Sequence, residues 1–261
     1  MQRGEGVKDE KGYDVVRFIE HGGKCRPAMD YVRGQTLIGR LQTEKKIPKK
    51  LLFQWFRMLC TQLDCYHRSK GMQCYRYLSP YSVIVTREEK LLLLDLSVPG
   101  NGFVMKKMQI PAVRAHFVMP AGKKRSGMAV GIDLYGLGKL FQFMLAYTSV
   151  APPLTWKEEF MMSLVIQKCT GENGKKTYRE FDQILRELPR GDRRKSCVRK
   201  RQKALSQGGC QVTVVTVPGE YYEKVYSNSI TTMRHLLLSN VLSSFDIYSI
   251  VRRNEETMLI K

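Results

Sequence analysis

Two short apolar runs, 13–20 and 25–32, lie on either side of Gly22, Gly23 and Lys24. A glycine pair between two β-prone runs predicts an antiparallel hairpin, with Val15, Val16, Phe18 and Ile19 forming its packing surface. After Pro48 the period changes. Leu51, Leu52, Trp55, Phe56, Leu59, Leu63 and Tyr66 recur at three and four, with Lys49 and Lys50 outside the stripe, which predicts a helix over 51–67. Residues 83–86 and 90–94, joined by Arg87-Glu88-Glu89, read as a second hairpin. Between 97 and 128 Gly, Pro and Lys are scattered, which predicts loop with one short helix around 109–116. Leu134, Leu137, Leu140, Phe141, Met144 and Leu145 give a helix over 133–147, followed by Pro152-Pro153. Helices over 156–169 and 178–188 complete the helical part. Beyond Pro189, residues 211–217 form a strand candidate and 230–250 an apolar helical segment.

Composition bounds this picture. The chain has 261 residues, 43% of them hydrophobic, enough for an ordinary packed core. No long uncharged apolar stretch and no apolar leader occur, so a soluble cytoplasmic protein is expected. The seven cysteines at 25, 60, 65, 74, 169, 197 and 210 are odd in number and widely spaced, and read as reduced thiols. Cys60, Cys65 and Cys74 could be proposed as zinc ligands, but the Cys-x-x-Cys pairs that favour zinc are missing. Lys and Arg total 44 against 24 acids, a net charge of +20. Residues 190–203 hold eight bases and one acid, and without them +13 remains. The basic excess is therefore spread over the chain. It puts an anionic membrane surface within reach of 190–203, and nucleic acid within physical reach. Aromatic residues do not interleave with the basic run as single-strand platforms require, so nucleic acid is not the favoured partner.

The candidate chemistry lies in residues 75–97. Tyr75-Arg76-Tyr77-Leu78-Ser79-Pro80-Tyr81-Ser82 is followed by Leu91 to Leu94 and then Asp95-Leu96-Ser97. This order resembles the catalytic loop and metal-binding strand of protein kinases, His-Arg-Asp-Leu-x-x-x-x-Asn and Asp-Phe-Gly. Four flanking segments resemble the same family. Residues 28–37, with Asp30, Tyr31 and Val32, are similar to the hinge that crosses between kinase lobes. Leu63 to Met72, with His67, is similar to the end of the helix before the catalytic loop. Asp133 to Leu140 resembles the opening of the large central helix. Residues 164–169 and 178–185 resemble the last two helices of the large lobe. The resemblance implies that Asp133 caps its helix and bonds the catalytic-loop backbone, that His67 packs in the lobe, and that Arg76 braces the loop near Asp133.

The departures from the family carry as much information. Tyr75 stands for the family's His, Tyr77 for the catalytic Asp, and Ser82 for the metal-binding Asn. A phenol with an ordinary pKa near 10 is a poor base at neutral pH, and a serine hydroxyl is a weak magnesium ligand. Asp95 keeps the position of the metal-binding Asp. It reads either as a vestigial magnesium ligand or as a carboxylate capping the next turn. The glycine-rich loop and the phosphate-binding Lys have no counterpart, and Lys24 and Lys106 are the only substitutes to hand. Ala-Pro-Glu survives only as Met119-Pro120-Ala121. Ser79 and Ser82 have no neighbouring base in the sequence, which disfavours nucleophilic catalysis.

The expected fold class is α+β: a mainly helical kinase-like large lobe with a short β-hairpin remnant of the small lobe, plus a small C-terminal α/β segment. The expected domains are 1–37 for the remnant and hinge, 38–189 for the helical lobe, 190–209 for a basic linker and 210–261 for the strand–helix segment. A shortened family member whose basic stretch leads into a membrane helix is a further reading. The expected function is that of an inactive kinase-like regulatory or scaffolding module with a protein partner and no cofactor. Two alternatives stand beside it: an atypical ATP- and magnesium-binding Ser/Thr kinase-like enzyme, and a polyanion-binding protein on a degenerate lobe.

Overall fold

The two amino-terminal runs extend into strands of ten residues each, β1 (Gly12–His21) and β2 (Lys24–Arg33), paired antiparallel and closed by His21 opposite Lys24. Gly22 at the turn has φ 57°, a left-handed conformation that glycine adopts without steric cost. The computed structural model describes residues 11–189, apart from 23, 72, 124–128 and 173–176. The chain divides into two units, Met1–Gly191 and Asp192–Lys261, and all described residues belong to the first. The expected linker at 190–209 and segment at 210–261 lie outside the described residues.

From β2 the chain passes through Gly34 into β3 (Gln35–Thr36) and α1 (Leu37–Thr43), where the Thr36 hydroxyl accepts from the Gly39 amide as the N-cap. β4 (Lys46–Pro48) leads into the long α2 (Lys49–Ser69). The hairpin β5 (Val83–Val85) and β6 (Leu91–Leu94) follows the loop 73–82. After a 3₁₀ turn at Pro99–Asn101 come α3 (Phe103–Met108) and α4 (Pro111–Phe117), then a second 3₁₀ turn at Ala121–Lys123. The helical part ends with α5 (Ala129–Tyr147), β7 (Ser149–Ala151), α6 (Trp156–Thr170) and α7 (Phe181–Glu187). The architecture is α+β, with a five-stranded antiparallel sheet in the order β2-β1-β6-β5-β3.

The packing follows from the α2 stripe. Leu52, Trp55, Phe56, Leu59 and Leu63 are fully buried, and Phe56 meets Phe141 of α5 at 4.3 Å between ring centroids. Each such side chain contributes about 1.5–3 kcal/mol by leaving water. Gln62 on the same helix bonds the central strand β6 through both ends of its amide, donating to the Leu91 carbonyl at 2.5 Å and accepting from the Leu93 amide at 3.1 Å. Arg57 reaches across to the carbonyls of Leu185, Leu188 and Pro189, which satisfies the end of α7. α5 is long and apolar enough to cross a membrane by length and composition, but it is mostly buried among these neighbours.

Four expectations are corrected. Residues 28–33 do not cross between lobes: they continue β2 at the edge of the sheet, and β1 pairs directly with β6 through Val15↔Leu94 and Val16↔Leu93. The hairpin therefore extends the same sheet as β5 and β6. Residues 99–117 hold two helices and a 3₁₀ turn where one helix was expected, because Pro99 and Pro111 each start a turn and Val104, Met108, Val113 and Phe117 are spaced to be buried together. α5 begins at Ala129, so Asp133 lies inside the helix and is not its cap. α7 spans only Phe181–Glu187, shorter than 178–188. The parallel pair β4–β7 had no sequence signal: Lys46-Ile47-Pro48 is too short to show a period.

Candidate functional site

Asp133 organises the loop. Its Oδ2 accepts from the Tyr75 amide at 2.6 Å and its Oδ1 from the Arg76 amide at 2.7 Å. The same Oδ2 lies 2.8 Å from Nε2 of His67, which donates to it in the tautomer that the network requires. The carboxylate is fully buried, and bonds of this kind to an ionised acceptor are the strong ones. Two consecutive amides can point at one carboxylate only if the chain folds back sharply. Arg76 does this at φ 69°, with the Tyr77 amide bonded to the Tyr75 carbonyl at 2.9 Å, a γ-turn. For a residue with a side chain this backbone is strained.

The positions flanking that turn are used internally. The Tyr75 hydroxyl lies 2.8 Å from the Leu94 carbonyl and 3.2 Å from that of Ser82, while its ring meets Tyr66 edge-on at 5.4 Å. Burial raises its pKa well above that of an ordinary phenol. Ser82 Oγ accepts from the Ser79 amide at 2.9 Å and donates to the Ser79 carbonyl at 3.1 Å, so it clasps the Ser79-Pro80-Tyr81 turn. Tyr77 is half-exposed, and its hydrogen bond with the exposed Arg76 side chain raises the Arg76 pKa, with Cys74 adding to the effect. The Arg76 side chain therefore does not brace the loop on Asp133: its backbone amide does. His67 is buried, with its ring 5.3 Å from that of Phe181.

Asp95 closes the turn after β6. Its Oδ1 accepts from the Ser97 amide at 2.9 Å and from the Ser97 hydroxyl at 2.6 Å. Its amide donates to the Asp14 carbonyl at 3.0 Å. The buried Asn101 donates to the carbonyls of both Asp14 and Asp95 at 2.8 Å and locks β1 against this turn. Sequence reasoning missed Asn101, since a single amide in a Pro-Gly turn has no period to mark it. The hinge candidates do other work. Asp30 pairs with Arg17 at 2.8 Å and accepts from the Tyr31 amide, Tyr31 is exposed, and Val32 lies opposite Tyr13. Lys24 and Lys106 are both exposed, on the hairpin turn and on α3.

Chemically, the loop 75–82 carries the phenols of Tyr75, Tyr77 and Tyr81 and the hydroxyls of Ser79 and Ser82, with neither a carboxylate nor a carboxamide among its side chains. Elsewhere, Cys60, Cys65 and Cys74 do not gather as ligands. Cys60 lies in the core with its thiol pKa raised by burial, and Cys65 meets Cys25 instead. Among the described residues the one group of three metal-ligating side chains is Glu20, Cys25 and Cys65, with donor atoms within 4.8 Å of one another. The chain matches no family model and no curated protein.

Proposed function

We propose that this chain is a catalytically inactive, protein-kinase-like module that regulates or scaffolds a protein partner in the cytoplasm, without a bound nucleotide or metal. The observation that carries this reading is the Asp133 carboxylate gathering the amides of Tyr75 and Arg76 around a strained γ-turn, with His67 behind it. Backbone strain of this kind persists where surrounding bonds over-determine it, and it clusters at present or former active sites. The side chains presented from that turn cannot serve phosphoryl transfer: Tyr77 is a phenol, and Ser82 spends its hydroxyl on Ser79. Asp95 is bonded within its own turn.

A protein partner has a surface available to it. β2 lies at the edge of the sheet, and Met29, Tyr31 and Ile19 on this hairpin are 79%, 66% and 60% exposed. Such an edge, with apolar side chains standing on it, suits strand addition by an extended segment. The test is a thermal-shift titration of the full chain with ATP, with and without magnesium, alongside Asp95→Ala. The expected outcome is no magnesium-dependent rise in Tm at millimolar ATP. A rise that Asp95→Ala abolishes overturns the inactive reading in favour of an atypical ATP-binding enzyme.

A further inference from the structure

Where the end of the first hairpin meets α2, five side chains converge. Cys25 of β2 donates to the sulfur of Cys65 on α2 at 3.1 Å, and both residues are buried. Arg68, one turn on from Asp64, donates to Asp64 at 2.8 Å, to Glu20 at 3.1 Å and to the Cys65 sulfur at 3.5 Å. We propose that Cys25 and Cys65 are a thiol modification site, a pair that closes to a reversible disulfide and covalently ties the hairpin to α2. This inference is independent of the kinase-like reading, since it uses neither the 75–82 loop nor Asp95.

A metal ion fits the cluster less well. Three donors are one short of the four that zinc usually takes, and the ion would have to enter beside a guanidinium already bonded to two of them. A disulfide asks only for a small approach of two sulfurs already in contact, and it leaves the Arg68–Glu20 pair in place. Holding both thiols together before reaction removes most of the entropy of bringing them together, which favours the intramolecular product over two separate mixed disulfides. Burial alone does not set the pair apart, since Cys60 and Cys169 are buried too; the sulfur-to-sulfur contact does, and Cys74 lies in the loop after α2.

The oxidant is a low-molecular-weight disulfide such as oxidised glutathione. One protein thiol gives its proton to solvent and its thiolate attacks the glutathione disulfide, forming a mixed disulfide and releasing one glutathione. The second thiolate then attacks that mixed disulfide and releases the other. Two S–H bonds are lost on the protein, one S–S bond forms, and oxidised glutathione is reduced to two thiols. Burial, with the hydrogen bond from Cys25, pushes the Cys65 thiol up to about 12, against the opposite pull of Arg68. Cys65 therefore waits as a thiol near neutral pH, and the pair oxidises slowly.

The experiment incubates the full chain for hours in a series of oxidised-to-reduced glutathione ratios, quenches by acid and alkylation, and maps peptides by mass spectrometry. The expected result is one linked peptide joining Cys25 to Cys65, lighter by two hydrogens and reversed by dithiothreitol. A rise in Tm on the order of 10 °C should accompany it, as expected for closing a loop of this length. In Cys65→Ser the link is lost and Cys25 carries glutathione instead. The proposal is overturned if wild-type Cys25 and Cys65 stay as thiols, or are glutathionylated separately, at ratios that modify Cys74. It is also overturned if the purified chain retains stoichiometric zinc that protects both thiols. The wild-type map decides the question even if the serine variant fails to fold.

Discussion

At the scale of single residues, Asp133 and Tyr75 determine whether the 73–82 segment holds its shape. Asp133→Ala leaves the Tyr75 and Arg76 amides and the His67 ring without their shared acceptor inside the lobe. Urea denaturation is expected to show a loss of about 3–5 kcal/mol, the range for stranding buried charged-group partners. Tyr75→Phe keeps the ring on Tyr66 but removes the hydroxyl from the Leu94 and Ser82 carbonyls, of which Ser82 still accepts from the Leu94 amide, at about 1–3 kcal/mol. If the two variants cost the same, the organising role given to Asp133 is wrong. His116 supplies a pH dependence. Burial lowers its pKa to about 4, with the positive charge of Lys139 adding to this and Glu172 opposing it weakly. The unfolded chain therefore takes up a proton near pH 6.5 that the folded chain refuses until about 4. Stability is intact above pH 6.5 and falls as the pH drops between those values, by roughly 3 kcal/mol in total. His116→Gln should flatten this slope in denaturation midpoints measured from pH 7 to pH 4.

At the scale of elements, the join between β2 and β3 is the closest approach of a described glycine to another stretch of backbone. A Cβ on Gly34 would lie 2.5 Å from the Val85 carbonyl oxygen and 2.9 Å from the Ile84 side chain. The obstacle includes backbone, so β3 would have to move off β5 to admit a methyl group. Gly34→Ala is expected to cost about 2–4 kcal/mol in chemical denaturation, beyond the usual range for overpacking because a sheet pairing is strained with it. An unchanged midpoint would mean that β3 is only loosely held. The family resemblance placed this glycine in a hinge. Its physical role is a close backbone crossing inside one sheet. α6 lies close to the expected 156–169 and opens on a capping box that the sequence analysis had not singled out: Thr155 accepts from the Glu158 amide while Glu158 accepts from the Thr155 amide.

At the scale of the whole molecule, the hairpin changes the meaning of the candidate site. β1 runs alongside β6 and its Asp14 carbonyl takes up both the Asp95 amide and the Asn101 side chain. The turn after β6 is thus tied to the hairpin by hydrogen bonds to backbone. This is the reason the ATP titration with Asp95→Ala bears on the whole reading: a nucleotide that binds through Asp95 must compete with these bonds. Of the two edges of the same sheet, β2 and β3, the longer is β2, on the far side of β1 from β6. Charge adds to the contrast, since a chain at +20 attracts polyanions at low salt whatever its specific partner.

The sequence by itself determined the elements that a short period encodes. The α2 stripe, the two hairpins and the central helix were legible because neighbours three, four or two positions apart carry the signal, and the Gly22 turn because only glycine takes its φ cheaply. The motif order also pointed to the residues around the loop, although it misassigned the helix cap to Asp133, and Arg76 meets Asp133 through its backbone amide. Tertiary structure alone decided which groups meet. The β1–β6 pairing joins residues about eighty positions apart, and Cys25 meets Cys65 across forty. No local pattern records such contacts: they arise when buried apolar faces are packed together, and the polar groups carried inward must then find whatever partners that packing brings within reach.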